Sequence, residues 1–506
     1  MLIFALSMLK ILNTSQIKEW DLYTIKNEPI ASIDLMERAC QAFVHWYAEK
    51  FGTSKKVGIV CGTGNNGGDG LGIARLLSEW GYNVKVWIIK SAVPESIDFG
   101  INKKKLPDKV SWAFITAKPD VGIFQDCDVL IDGIFGSGLS RKLEGVYADV
   151  VNEVNNTDAI VVAIDIPSGV FADKPTEGAS VHADYTATFQ TPKLSFLFPE
   201  NEEKVGVWEA INIGLSSSFL KDVSTSHYLI NKKYVRSKIP ERKKFAHKGD
   251  FGKALLVAGS EGKMGACVLA AKAAMKSGVG LLTAHIPRCG YSIIQTAVPE
   301  AMVSIDQHDN CFSTVPNVDG YSAIGIGPGL GQSADTIKAF KSLLQNVDKP
   351  IVLDADGINI ISSDSSMLHL LPANSILTPH PGELERLIGS WKNDFDKLEK
   401  VRDLASRTKC IIIIKGAYSA IVSPTDQIFF NSTGNPGMAT GGSGDVLTGI
   451  LTGLLAQQIN PIDVAIIGVY VHGLAGDLAR FEIGQVALIA SDIINQLPQA
   501  FKEVSS

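Results

Sequence analysis

Apolar residues recur at three- and four-residue intervals along Ile17–Ile25 and again along Ser32–Tyr47, the spacing of helices with one face turned to a core. The pattern then changes. Lys56–Cys61 is a short apolar run ending in Gly62-Thr63-Gly64-Asn65-Asn66-Gly67-Gly68-Asp69-Gly70. A helical stretch follows to Trp80, and then a second apolar run, Val84–Ile89. Strand, helix and strand around a glycine-rich first turn predict a βαβ unit. Two more runs break into loops in the same way: Val129–Asp132 before Gly133–Leu139, and Ile160–Asp165 before Ile166-Pro167-Ser168-Gly169. A second series follows, in which Lys253–Ala258, Leu281–Ile286, Ala323–Gly327, Ile351–Asp354, Ser375–Thr378 and Cys410–Lys415 alternate with helical patterns such as the small-residue stretch Gly265–Lys276. Cys410–Lys415 is apolar almost throughout, as a parallel strand covered on both faces would be. Two doubly wound α/β domains are the economical expectation. Between the two series, Ser216–His227 holds five serines and a threonine, which predicts a first domain over 1–215, a linker over 216–227 and a second domain over 228–506.

Composition narrows the class. The chain has 506 residues, 45% of them hydrophobic and 20% charged, the balance of an ordinary globular protein. A formal net charge of −6 offers no basic field for nucleic acid or anionic lipid, and Arg236–Lys248 reads as a solvated basic face. The seven cysteines are scattered, without CxxC pairs, which argues against a disulfide framework or a zinc site and for a cytoplasmic location. Met1–Leu12 is mostly apolar but lacks the basic region and cleavage site of a signal peptide, and Met8, ahead of the helix start Thr14-Ser15-Gln16, is a candidate initiator. No other stretch reads as apolar enough to cross a membrane, so a soluble protein is expected.

The candidate chemistry lies where strands give way to loops. Gly434–Asp445, GNPGMATGGSGD, has five glycines in twelve residues and runs into the apolar stretch Val446–Leu455. Such a loop can turn its amides onto an anion while the helix it feeds, starting near Ser443, adds its positive end. Asp445 then falls in the first helical turn. It can be a capping acid, but a cap needs one acceptor and no bare backbone around it; a base beside an anion loop suggests phosphoryl transfer to a hydroxyl. His380, between Pro379 and Pro381, and Lys415, at the end of an apolar strand, also sit at strand–loop junctions. In the first half, Gly62–Gly67 spells GxGxxG, yet Asn65, Asn66 and Asp69 crowd it and no acidic residue closes the strand at Ile89, so a plain NAD-binding turn is disfavoured. Asp132 or Asp165 alone reads as a turn former. Three such junctions in one domain point to a site, and the Asn, Asp and Ser oxygens there suit a hard, monovalent cation.

GNNGGDG (Gly64–Gly70), DGIFGSGL (Asp132–Leu139), DIPSG (Asp165–Gly169) and ADYTATFQTPK (Ala183–Lys193) resemble the epimerase domain of the NAD(P)H-hydrate repair enzymes. The resemblance implies a substrate pocket lined by Asn65, Asn66, Gly67, Gly68 and Asp69, by Gly136, Ser137, Gly138, Leu139, Ser140, Arg141 and Lys142, and by Asp165, the candidate acid/base at C6 of the hydrated ring. It also implies potassium held by Asn66, Asp132 and Ser168. In the second half HKGDFGKALLVAGS (His247–Ser260), GIGPGLG (Gly325–Gly331), LTPHPGE (Leu377–Glu383), KGAYS (Lys415–Ser419) and the glycine loop resemble the ribokinase-like, ADP-dependent NAD(P)H-hydrate dehydratases. That likeness assigns Gly329, His380, Pro381, Gly382, Glu383, Leu384, Glu385, Arg386 and catalytic Asp445 to the hydrate. It assigns Lys415, Gly416, Ala417, Tyr418 and Ser419, with Asn435, Pro436, Gly437, Met438, Ala439, Thr440, Gly441, Gly442, Ser443 and Gly444, to ADP carried with Mg2+. A bifunctional enzyme is then expected: the first half interconverts the R and S hydrates of NADH or NADPH, and the second dehydrates the S form, giving AMP and phosphate. It would act on small molecules as a homo-oligomer, with neither nucleic acid nor membrane as partner. Two alternatives stay open: a vitamin or sugar kinase of the same fold with an accessory first half, and a first half that only binds a nucleotide or a protein.

Overall fold

The computed structural model describes residues 8–90 and 94–506, so Met1–Ser7 of the apolar N-terminal stretch lie outside the described residues. The chain forms two compact units. One comprises Lys10–Thr225 with Asn393–Phe395; the other holds Ser226–Lys392 and Asp396–Ser506, with the first described residues up to Leu9. The polar stretch after Leu215 is part of the first unit up to Thr225. Phe219–Asp222 is a short helix there, and Phe219, Leu220 and Val223 pack with Trp20, Leu35 and Leu215.

The first unit is built on a seven-stranded sheet, wholly parallel, in the spatial order Ser111–Ile115, Asn83–Ile89, Lys56–Cys61, Val129–Gly133, Ile160–Ile164, Tyr185–Phe189, Val207–Ile211. Chain order reverses between Lys56–Cys61 and Val129–Gly133. At such a reversal the crossovers leave on opposite faces and open a crevice at the carboxyl ends of the strands. The helix Asn65–Glu79 starts there, against its own turn: a Cβ on Gly67 would lie 1.9 Å from the Gly62 carbonyl oxygen, so only glycine allows that approach.

The second unit carries an eleven-stranded sheet whose seven strands from Ile411–Ile414 to Met302–Ile305 are parallel. An antiparallel extension follows through Ala420–Val422 and Ile428–Phe430. The isoleucines of Ile411–Ile414 are all buried, as the unbroken apolar run required. Two helices fix the start of the glycine loop's helix. Ser443–Ala456 lies so close to the alanine-rich Met264–Lys276 that a Cβ on Gly449 would come within 2.1 Å of the Ala270 carbonyl. Its neighbour Pro461–Ile483 corrects the expectation that no stretch is long and apolar enough to cross a membrane: its 23 residues are, but 72% of the apolar window is buried inside the unit. Val464–Val471 and Ala475 belong to that core. The residues are apolar because the helix is covered by its own unit.

Candidate active sites

In the first unit three strand ends meet. Asp132, closing Val129–Gly133, is 1% exposed and accepts from the Ser168 amide (2.7 Å), the Ser168 hydroxyl (2.6 Å) and the Ile134 amide (3.1 Å). Ser168 Oγ in turn accepts from the Phe135 amide at 2.8 Å. Burial pushes the Asp132 carboxyl up to about 6, against the pull of the Ser168 and Ile134 hydrogen bonds. Asn66 reaches the same place from the first helical turn: a Cβ on Gly136 would touch Asn66 Oδ1 at 3.3 Å, and the buried Asn66 Nδ2 has no hydrogen-bond partner. The oxygens gathered here, Asn66 Oδ1 with one carboxylate and one hydroxyl, are the kind of donor set a weakly charged cation takes; the unbonded Nδ2, an N–H donor, is no ligand for one. Among the described residues no group of three or more His, Cys, Asp or Glu side chains is placed to hold a metal ion.

Asp165 stands one strand over, with φ at +65°. That is a left-handed conformation uncommon outside glycine, which at a strand end is a reason to look for function. Its Oδ1 accepts from Lys193 Nζ (2.7 Å), the Phe189 amide (3.0 Å) and Thr188 Oγ1 (3.3 Å). Two further carboxylates face it. Burial, and after it the Asp165 charge, pushes Asp21 up to about 7, against Lys193; burial, Asp165, Asp21 and Asp98 raise Asp69. Asn65 opens the helix Asn65–Glu79, and Gly67 and Gly68 are buried in its first turn. Ser137, Gly138 and Leu139 continue the loop from Gly136, whereas Ser140, Arg141 and Lys142 lie out at the surface, Lys142 paired with Glu144 at 3.1 Å. Lys193 and Asp21 escaped assignment from sequence. The lysine closes the ADYTATFQTPK motif, which was a usable signal; Asp21 sits in an ordinary amphipathic helix and carried none.

In the second unit the glycine loop is held from behind. Asp477, on Pro461–Ile483, accepts from the Gly434 amide (2.8 Å) and from Asn435 Nδ2 (3.0 Å). Pro436–Met438 makes a single 3-10 turn, Thr440 donates its amide to the Met438 carbonyl, and Gly442, at φ +90°, caps the helix Ser443–Ala456. Ala439 links the turn to Thr440, and Gly441 has open space where a Cβ would stand. Asp445 lies in the first turn, and its carboxylate has no hydrogen bond among the described residues. Burial comes first, then the charges of Asp354 and Asp356, in pushing it up to about 6, with Lys415 acting against them.

Asp354, unassigned from sequence, organises this site. It is 1% exposed and takes Lys415 Nζ on one oxygen (2.8 Å) and the Thr448 hydroxyl on the other (2.7 Å). The chain crosses directly over this pair: a Cβ on Gly444 would stand 3.2 Å from Lys415 Nζ. Gly416, Ala417, Tyr418 and Ser419 form the turn after Lys415, where the Ser419 hydroxyl bonds the Gly416 carbonyl at 3.0 Å. Gly329 gives its carbonyl to Ser260 Oγ (2.7 Å), and Gly331 its amide to Asp356 (2.8 Å). His472 meets Ser443 Oγ at 3.4 Å, and burial together with Lys415 pushes its ring down to about 4.

His380 is the N-cap of Pro381–Ile388. Its Nδ1 accepts from the Gly382 amide (3.0 Å), and its own amide donates to the buried Glu383 (2.9 Å). Burial, and Asp354 after it, raise the Glu383 carboxyl against the His380 amide and Lys415. Leu384 is fully buried, and its side chain packs inward; Glu385 and Arg386 are exposed, with Arg386 donating to Asn359 Oδ1 at 2.8 Å.

Comparison with known proteins follows the same division. The NAD(P)H-hydrate dehydratase family matches residues 254–499, and the family described as YjeF-related protein N-terminus matches residues 32–195. The bifunctional NAD(P)H-hydrate repair enzyme of Moorella thermoacetica is 37% identical over 94% of this chain and 93% of its own. That of Thermofilum pendens is 34% identical over 98% and 96%. Among solved structures, a ribokinase-like superfamily protein from Enterococcus faecalis is 27% identical, covering 56% of this chain and 98% of its own, at a TM-score of 0.50.

Proposed function

Because the chain belongs to the bifunctional NAD(P)H-hydrate repair enzymes, we propose that its two units treat one damaged metabolite in succession, with 1–215 and 228–506 as the two catalytic domains. The first interconverts the C6 epimers of hydrated NADH or NADPH. The second removes the C6 hydroxyl of the S form with ADP as phosphoryl donor, which suits a cytoplasmic enzyme with free cysteines. The observation that carries this reading is the pairing of sites: each unit puts one carboxylate, Asp165 or Asp445, with an unbonded edge at the carboxyl ends of its own parallel strands, beside a glycine-rich turn.

In the first site Asp165 takes the proton of the C6 hydroxyl. The oxygen forms a carbonyl as the C6–N1 bond breaks, and the electron pair rests on N1, spread into the ring's unsaturated carboxamide. Rotation about C5–C6 presents the other carbonyl face; N1 closes on it and Asp165 returns the proton. Asn66, Asp132 and Ser168 would hold potassium, whose charge orders the loops around the substrate. In the second site Asp445 takes the hydroxyl proton as oxygen attacks the β-phosphoryl of ADP and AMP leaves. The amides of Gly441–Gly444 and the Lys415 ammonium meet the charge on the transferring group, and Mg2+ enters with the nucleotide phosphates. Phosphate then departs from C6 with its bonding pair, and loss of a C5 proton restores the double bond of NAD(P)H.

The test supplies pure S hydrate, pure R hydrate and ADP to the full chain and follows the dihydronicotinamide absorbance with phosphate release. Both hydrates should be consumed, with phosphate equal to NADH formed. A phosphorylated product that accumulates without NADH would replace this reading with a small-molecule kinase.

A further inference from the structure

Lys193 is among the largest fully buried side chains in the protein, and a wholly sealed lysine is rare unless its charge is matched. Its ammonium meets Asp165 Oδ1 at 2.7 Å, Thr188 Oγ1 at 2.9 Å, the Thr191 carbonyl at 3.2 Å and the Phe189 carbonyl at 3.4 Å. With its side chain at 0% exposure, it cannot reach a substrate. Every hydrogen bond that the Asp165 carboxylate accepts from the described residues ends on Oδ1, and the side chain keeps 11% exposure. Oδ1 is therefore turned into the protein, and Oδ2 is the oxygen left for chemistry.

We propose that Lys193 is a positioning residue for epimerisation: from beneath, it pins Oδ1 and supplies the countercharge, so that Asp165 presents a single oxygen, Oδ2, to the C6 hydroxyl. The inference rests on the reading of Asp165 as the acid/base of the first site. A carboxylate swinging about its last torsion would offer two oxygens in many directions, and such torsions are broad unless something restrains them. Three donors on one oxygen remove that freedom.

A structural tie would have the same contacts, so the test must read the chemical step. In the full chain, Lys193→Met should lower kcat for epimerisation about 100-fold, the scale of a misplaced catalytic group, with KM within about twofold. Dehydration of pure S hydrate serves as the internal control and should not change. Lys193→Ala should recover at least tenfold of its lost kcat in propylammonium, which refills the missing stem and charge. Epimerisation within threefold of the parent in Lys193→Met, or no recovery by propylammonium in a chain that still dehydrates S hydrate, overturns the proposal. If the lysine variants do not fold, Thr188→Ala decides: it removes one restraint on each partner and no charge, and should cost about tenfold in kcat, an unchanged kcat being the contrary result. Asp165→Asn separates this inference from the reading beneath it. If that variant still epimerises, the site assignment fails; if it is inactive while Lys193→Met is not, only the role of Lys193 fails.

Discussion

Asp165, just past the end of a strand, and Asp445, in the first turn of a helix, each sit beside a glycine-rich loop of their own unit, yet their surroundings are opposite. Asp165 is gripped: three donors, one a sealed ammonium, end on one oxygen. Asp445 is left unbonded among other acids, Asp354 and Asp356, and is pushed up to about 6. The difference suits the two proposed jobs. Ring opening and closing, as proposed, would take and return one proton at a fixed place, which a base held still provides. Phosphoryl transfer needs a base of useful strength beside an anion loop, and low solvation with like charges nearby provides strength without a fixed bond.

The largest break in this comparison is Asp445→Asn. It should lower dehydration by about 10²–10⁴-fold, the usual contribution of a general base, and leave epimerisation untouched. Next is Asp132→Ala, which removes the carboxylate that ties Ser168 and the proposed potassium site. It should cost epimerisation about 100-fold and leave dehydration of S hydrate unchanged; titration of epimerase activity with potassium chloride checks whether the ion requirement goes with it. A smaller effect with a clear sign comes from Asp354→Asn. Asp445 must be ionised to act, so dehydration should fall as pH drops through about 6. Removing the Asp354 charge takes away part of what raises Asp445. The acid limb should then move to lower pH, while kcat falls about tenfold as Lys415 loses its anchor. A pH–rate profile showing the limb moving upward would contradict the arrangement. The smallest is Asp477→Ala. It frees the Gly434 amide and Asn435 and should raise the KM for ADP roughly tenfold, in line with about 1.5 kcal/mol for a hydrogen bond to a charged group, with little change in kcat.

The two halves also differ in what their sequences disclosed. Lys56–Cys61, Val129–Gly133 and Leu281–Ile286 were legible because buried parallel strands are short, continuous apolar runs. Ser111–Ile115 was not, being an edge strand exposed over four of its five residues. Pro461–Ile483 was misjudged because a helix buried over most of its length has no continuous polar face to betray its period. In the sites, glycine loops announced themselves. Asp354 did not, and Lys193 did so only through its motif, because their meaning lies in partners 61 and 28 residues away that only the folded sheet brings within 3 Å. His380 reads from sequence as a ligand group; what the structure shows for it is a capping role.

The central claim is that two separate carboxylates perform two steps on one metabolite, and a crossed assay of the full chain tests it most directly. Pure R hydrate and ADP are supplied to the Asp165→Asn and Asp445→Asn variants, and R hydrate, S hydrate and NADH are resolved over time by chromatography. Asp165→Asn should leave R hydrate standing yet still convert added S hydrate to NADH. Asp445→Asn should bring R and S to their equilibrium ratio and form no NADH. Loss of both activities in either variant, or NADH formed from R hydrate by Asp165→Asn at the parent rate, would contradict the account.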